Sequence, residues 1–118
     1  MLKLIHSRDG TVLNEYKLKQ GSYVIGRRPE CDIRIDDSTV SGLHAEIIVR
    51  PSEFMEGTLE VIIEDKGSTN GTSVNNHKIR KHLLKHDEVV RIGQHDLKLV
   101  DINAGAFETT RFVLPDDS

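Results

Sequence analysis

Short runs of alternating apolar and polar residues, each ended by a turn signal, constrain this chain more than any other feature. Leu2 and Leu4 alternate with Lys3, Ile33 and Ile35 stand between Asp32, Arg34 and Asp36, and Leu97 and Leu99 flank Lys98. Within 58–65, Leu59, Val61 and Ile63 share one face while Glu60 and Glu64 take the other. A period of two puts every second side chain on the same side of an extended backbone, so such runs make strands with one buried face. Segments 12–18, 22–25, 43–50 and 88–92, as a group rich in β-branched residues, read as further strands. No helix is expected. Asp9-Gly10, Gln20-Gly21, Asn70-Gly71, Asn75-Asn76 and Gly93-Gln94 supply the turns between runs. Many short strands at this spacing imply an all-β sandwich or barrel. The polar clusters fall between strands, where a rigid sheet can hold functional loops in place.

The alternation lapses after Asp101, so residues 1–101 read as one domain and 102–118 as a C-terminal tail or linker. A chain of 118 residues can bury roughly two-thirds of the surface it exposes unfolded, and needs neither metal nor disulfide as a staple. Cys31 is the only cysteine, which excludes an intrachain disulfide and leans towards a reducing, cytoplasmic setting. No apolar run approaches the roughly 20 residues of a membrane span, and the first residues lack a signal-peptide core. A net charge of −3 argues against nucleic acid as the main partner, because a phosphate backbone calls for a basic face. A local basic pocket for a single phosphate stays open.

Four polar segments carry the functional reading: Gly26-Arg27-Arg28, Ser41-Gly42-Leu43-His44, Gly67-Ser68-Thr69-Asn70-Gly71-Thr72 and Val74-Asn75. In this order and spacing they resemble the forkhead-associated (FHA) domain family, over almost all of residues 1–101. The resemblance implies a β-sandwich of two twisted, largely antiparallel sheets with binding loops at one end. It also implies that the domain binds phosphothreonine in a partner, such as a Ser/Thr kinase or its substrate. By resemblance Arg27 and Ser41 hold the phosphate, Thr69 adds a contact and Asn70 bonds the peptide backbone. Gly26, His44, Gly71 and Asp65 support the loops. The residue types suit the task. A phosphothreonine brings about −1.5 to −2 charges and three acceptor oxygens, and a planar guanidinium grips two of those oxygens together. Arg28 adds long-range attraction.

Other chemistries fit poorly. Ser41 near His44 lacks a Gly-x-Ser-x-Gly elbow and an acid to orient the imidazole, so no enzyme is expected. The Gly67–Thr72 stretch lacks the lysine of a nucleotide-binding loop and precedes a strand, so no cofactor is expected either. Asn70-Gly71 reads as a tight turn in which both residues tolerate positive φ. His82 and His86 lie four apart without a His-Glu-x-x-His motif; a solvated loop is expected there and no metal site.

Three positions depart from the family pattern. Gly42 stands where many members carry asparagine, arginine or lysine, which removes a side chain that often helps hold the phosphate or peptide. Thr39 lacks the basic group that some members use to select an acid three residues after the phosphothreonine, so no such preference is expected. Asn76 replaces a common glycine, a mild change. Thr69, Arg28 or Lys66 would partly offset Gly42. Within the tail, Thr109 and Thr110 are candidate phosphosites that would let the chain dock on itself or a copy; the plainer reading is a last strand and a frayed end. The alternative function is a phospho-independent assembly domain with the same sandwich.

Overall fold

The computed structural model describes residues 2–101. Candidate phosphosites Thr109 and Thr110 lie outside the described residues. The strands are β1 (Leu2–Arg8), β2 (Thr11–Leu18), β3 (Gly21–Gly26), β4 (Ile33–Arg34), β5 (Ala45–Pro51) and β6 (Leu59–Asp65). They continue with β7 (Thr72–Val74), β8 (His77–Ile79), β9 (Lys81–Leu84), β10 (Val89–Ile92) and β11 (His95–Asp101). Among the described residues there is no helix.

Alternation builds the two layers. One sheet has the order β2-β1-β11-β10-β7-β8 and the other β4-β3-β5-β6-β9. The pairs are antiparallel except for β3 with β4, which run parallel over two residue pairs. Leu4, Val90, Ile92, Leu97 and Leu99 from the first sheet meet Ile25, Ala45, Ile47, Val49, Val61 and Ile63 from the second in one core. Enclosing a Leu, Ile or Val side chain contributes about 1.5–3 kcal/mol, so this interior is what holds the sheets face to face.

Turn chemistry fixes the register of two hairpins. Asp9 and Gly10 have φ of 53° and 81°, and Asn75 and Asn76 have 51° and 68°. Two successive positive φ values are the type I′ turn whose twist matches paired strands, and Gly, Asn and Asp are the residues that accept it. In the expected Asn70-Gly71 turn only Gly71 takes a positive φ, of 89°.

Several sequence expectations shift. The strand read at 43–50 begins only at Ala45, because Ser41 and His44 spend their polar groups on each other and hold 41–44 as a loop. The strand expected after the Gly67–Thr72 stretch is β7, whereas β8 and β9 were not expected. His82 is not in a solvated loop: it lies on β9, half-buried, with Nε2 3.1 Å from Glu88 Oε1. His86 follows that strand and accepts a 2.9 Å hydrogen bond from the Asp101 amide through Nδ1.

Polarity along β11 orders the molecule. His95, at its start, reaches Asp37 in the loop cluster, while Asp101, at its end, pairs with Leu2. The loops after β3, β4 and β6 and the β10–β11 turn therefore gather at one end of the sandwich.

Candidate functional site

Three loops converge where the resemblance places the ligand. Gly26 ends β3, and the next two residues bond directly to the 41–42 stretch: the Arg27 amide donates to Ser41 O at 3.0 Å and the Arg28 amide to Gly42 O at 3.3 Å. The approach needs a glycine. A Cβ on Gly26 would lie 2.1 Å from Gly42 O and 2.9 Å from Cys31 Sγ. Cys31 itself is buried and directs its thiol to Gly42 O at 3.3 Å.

Ser41 is the joint between the loops. Its Oγ accepts the Thr69 amide at 3.0 Å, which leaves the hydroxyl proton for a ligand oxygen. Its own amide donates to His44 Nδ1 at 3.0 Å. His44 is fully buried, and its Nε2 donates to Gly71 O at 2.9 Å; the carbonyl partner fixes the tautomer. One imidazole thus ties the Ser41 loop to the Gly71 turn.

Asp65 organises the third loop. Its carboxylate accepts the amides of Gly67 at 2.9 Å and Ser68 at 3.1 Å, and the hydroxyls of Ser68 at 2.5 Å and Thr72 at 2.8 Å. Burial works to raise its pKa, but these four donors outweigh it and hold the group below its ordinary value. Asn70, exposed at the loop tip, donates through Nδ2 to Thr39 O at 2.9 Å and keeps its amide oxygen free to accept a peptide N–H.

Arg27 and Arg28 both stand exposed at this junction. Among the described residues no acceptor engages the Arg27 guanidinium. Arg28 crosses the space left by the glycine beside it: a Cβ on Gly42 would meet Arg28 Nε at 2.8 Å and Cγ at 3.2 Å. A cationic side chain from the neighbouring loop thus lies against position 42. The Lys66 ammonium lies 3.4 Å from Glu46 and 3.6 Å from Glu64.

A second support lies behind the loops, and no motif announced it. Asp37 Oδ1 accepts the Thr39 amide at 2.8 Å and the Thr39 hydroxyl at 2.7 Å, while Oδ2 accepts from His95 Nε2 at 3.0 Å. His6 Nε2 stands 2.8 Å from His95 Nδ1. With Asp37 ionised, one arrangement satisfies every atom: His6 Nε2–H donates to His95 Nδ1, and His95 Nε2–H donates to the carboxylate. The Thr39 donors, with His95 adding to them, hold the Asp37 carboxyl well below the usual carboxylate range. Burial and the neighbouring His95 lower the pKa of His6. One signal was available in the sequence. Extending the Leu2, Leu4 alternation puts His6 inside the core, where a polar ring needs a partner.

Among the described residues no cluster of His, Cys, Asp or Glu could hold a metal ion, and no helix is long and apolar enough to cross a membrane. The loops that carry two guanidiniums and the Ser41 hydroxyl are joined by hydrogen bonds between distant stretches of chain, a loop cluster on a β-sandwich whose donors suit an anion. The chain belongs to the FHA domain family, whose pattern matches residues 23–93. It is 39% identical over 82 residues to the oxoglutarate dehydrogenase inhibitor of Corynebacterium efficiens, covering 70% of this chain and 53% of that protein. It is 34% identical over 94 residues to the glycogen accumulation regulator GarA of Mycolicibacterium smegmatis, covering 80% and 55%. The chain thus spans about half the length of these curated relatives. A solved structure from work on phosphothreonine-dependent FHA domain interactions superimposes with a TM-score of 0.71 at 31% identity, covering 85% of this chain and 95% of that one.

Proposed function

We propose that this domain binds phosphothreonine in partner proteins and so docks them in Ser/Thr kinase signalling, with a kinase or kinase substrate as the partner. One observation carries the reading: the Arg27 amide bonds Ser41 O and the Thr69 amide bonds Ser41 Oγ, so the loops that carry Arg27, Ser41 and Thr69 are joined at one serine, and among the described residues no acceptor engages the Arg27 guanidinium. Donors placed before the ligand arrives avoid the ordering cost that would otherwise cancel their gain. Similarity to a phosphothreonine-dependent FHA structure supports the choice of ligand. Arg27, Ser41 and Arg28 then take the phosphate, Thr69 contacts it from the third loop, and Asn70 bonds the peptide backbone. Gly42 acts by making room for Arg28.

The domain works by binding alone. Both ring nitrogens of His44 are committed, to the Ser41 amide and to Gly71 O, so neither is left to take the Ser41 hydroxyl proton. The free thiol of Cys31 supports a reducing, cytoplasmic setting. Should Thr109 or Thr110 be phosphorylated, the tail becomes a ligand in cis, favoured over other partners by its high effective concentration.

Titration with one peptide in phosphothreonine, phosphoserine and unmodified forms tests the reading. Phosphothreonine is expected to bind best, with roughly a fourfold margin over phosphoserine if the γ-methyl is enclosed for about 0.8 kcal/mol. Arg27→Ala removes two charge-assisted bonds of about 1.5–3 kcal/mol each, so affinity should fall at least about 100-fold while stability stays within about 0.5 kcal/mol. Equal binding of phosphorylated and unmodified peptide refutes the proposal. Binding that survives Arg27→Ala moves the reading to a phospho-independent assembly surface.

A further inference from the structure

Beside the phosphate-binding loops the surface opens into a cavity of about 290 Å³, with Thr39, Asn70, Ser73, Arg91, Gly93 and Gln94 among its walls. Two of these, Thr39 and Asn70, are the joined loop tips of the site already described, so the cavity continues the same surface. The other walls come from the outer side of the β10–β11 hairpin and from Ser73, which pairs with Arg91 across β7 and β10.

Arg91 is the cation in the wall, and two more, Lys78 and Arg8, stand against the wall residues Gly71 and Gln94. The Arg91 side chain is 52% exposed, and its contact is with Asp96 Oδ1 at 3.5 Å, the outer limit of a hydrogen bond. Lys78 crosses Gly71, its Nζ 3.2 Å from where a Cβ on that glycine would stand. Arg8 donates to Gln94 Oε1 at 3.1 Å on the far side. Asp96 is the cross-strand neighbour of Arg91, and Asp37 is occupied by Thr39 and His95. A guanidinium held so loosely can exchange its partner for a carboxylate of a ligand, gaining the planar, two-pronged geometry that Asp96 does not give it.

We propose that Arg91 is a specificity-determining residue that reads an acidic side chain flanking the phosphothreonine, so the preferred ligand is an acidic phosphopeptide. The inference rests on the phosphothreonine reading above. The loop position at Thr39 offers no cation, and Arg91 supplies one to the same surface from a different strand. An extended peptide advances about 3.3 Å per residue, so the residue read lies within a few positions of the phosphothreonine.

A phosphothreonine-oriented peptide library, degenerate at four positions on each side, should be captured on the full chain and on Arg91→Gln. The best peptide and its acid-to-alanine version are then titrated against both proteins and against Arg27→Ala. The wild-type chain should select Asp or Glu at one position or two adjacent ones, and the acidic peptide should bind about five- to tenfold tighter than the alanine version. In Arg91→Gln that ratio should fall to about one, and in the wild type it should shrink as salt is raised. Phosphate- and Arg27-dependent binding without acidic selection, or with a ratio that Arg91→Gln leaves intact, overturns this inference alone. No dependence on phosphate overturns both it and the reading beneath it.

Discussion

Gly26→Ala asks a single methyl group to enter the crossing of two binding loops. The new Cβ would stand 2.1 Å from Gly42 O and 2.9 Å from Gly42 C, against a closest approach near 3.0 Å. Both atoms are backbone, so no rotamer relieves the clash and the chains must separate by about 0.9 Å. The bonds next to the crossing are Arg27 N to Ser41 O at 3.0 Å and Arg28 N to Gly42 O at 3.3 Å, and a displacement of that size breaks both. Overpacking costs about 1–3 kcal/mol and each of the two lost hydrogen bonds about 0.5–1.5, for a total of about 2–6 kcal/mol. In a domain of this size that lowers Tm by on the order of 10–45 °C. The same movement parts Arg27 from Ser41, so phosphopeptide affinity should fall at temperatures where the variant is still folded. Gly42→Ala is the control for stability, because the nearest atoms to its Cβ belong to the flexible Arg28 side chain. Urea denaturation of both variants, and calorimetric titration of Gly26→Ala against the wild-type chain, provide the comparison. A Gly26→Ala domain as stable as Gly42→Ala, with wild-type affinity, would refute the claim that backbone contact at this crossing sets the site.

Two further outcomes follow from the loop supports. His44→Ala leaves the Ser41 amide and Gly71 O without their partner and opens a hole at a fully buried position. It should cost about 3 kcal/mol in urea denaturation and weaken phosphopeptide binding along with stability. Because the pKa of His6 is lowered on folding, the unfolded chain takes up a proton there that the folded chain refuses. Stability should therefore be unaffected by this group above the unfolded value of 6.5 and should decline as pH falls from there towards the folded value. His6→Gln keeps a donor for His95 and removes the titration; denaturation midpoints between pH 7 and 5 should show a shallower slope, and an unchanged slope counts against the buried pair as its source.

Long strands were legible because they contain several periods. In β1 and β11 the alternation repeats enough to set which face is inside, whereas in β6 Leu59 is exposed and Val61, Ile62 and Ile63 are all buried. Strands of three or four residues, such as β8 and β9, hold barely more than one period, so pattern cannot separate them from loop. Leu43 was misread for a different reason: it is apolar but 46% exposed, because its neighbours Ser41 and His44 are bonded through side chains and keep it out of the ladder. At the site, family resemblance pointed to Arg27, Ser41, Thr69 and Asn70, whose loops the fold joins. The Arg28 crossing over Gly42, the Asp37–His95–His6 chain and the arrival of Arg91 beside Asn70 each join residues far apart in sequence. Those contacts exist only once the sheets have closed.

The pairing of Leu2 with Asp101 has a further consequence. Both attachment points of the described domain leave side by side at the pole remote from the ligand, six residues along β11 from His95, or about 20 Å of extended strand. A neighbouring module spliced at either point would load that far pole and leave the loops facing open solvent. Joining residues 2 and 101 through a short linker and reopening the ring at the exposed 53–57 loop should accordingly yield a circular permutant whose ligand grip is intact.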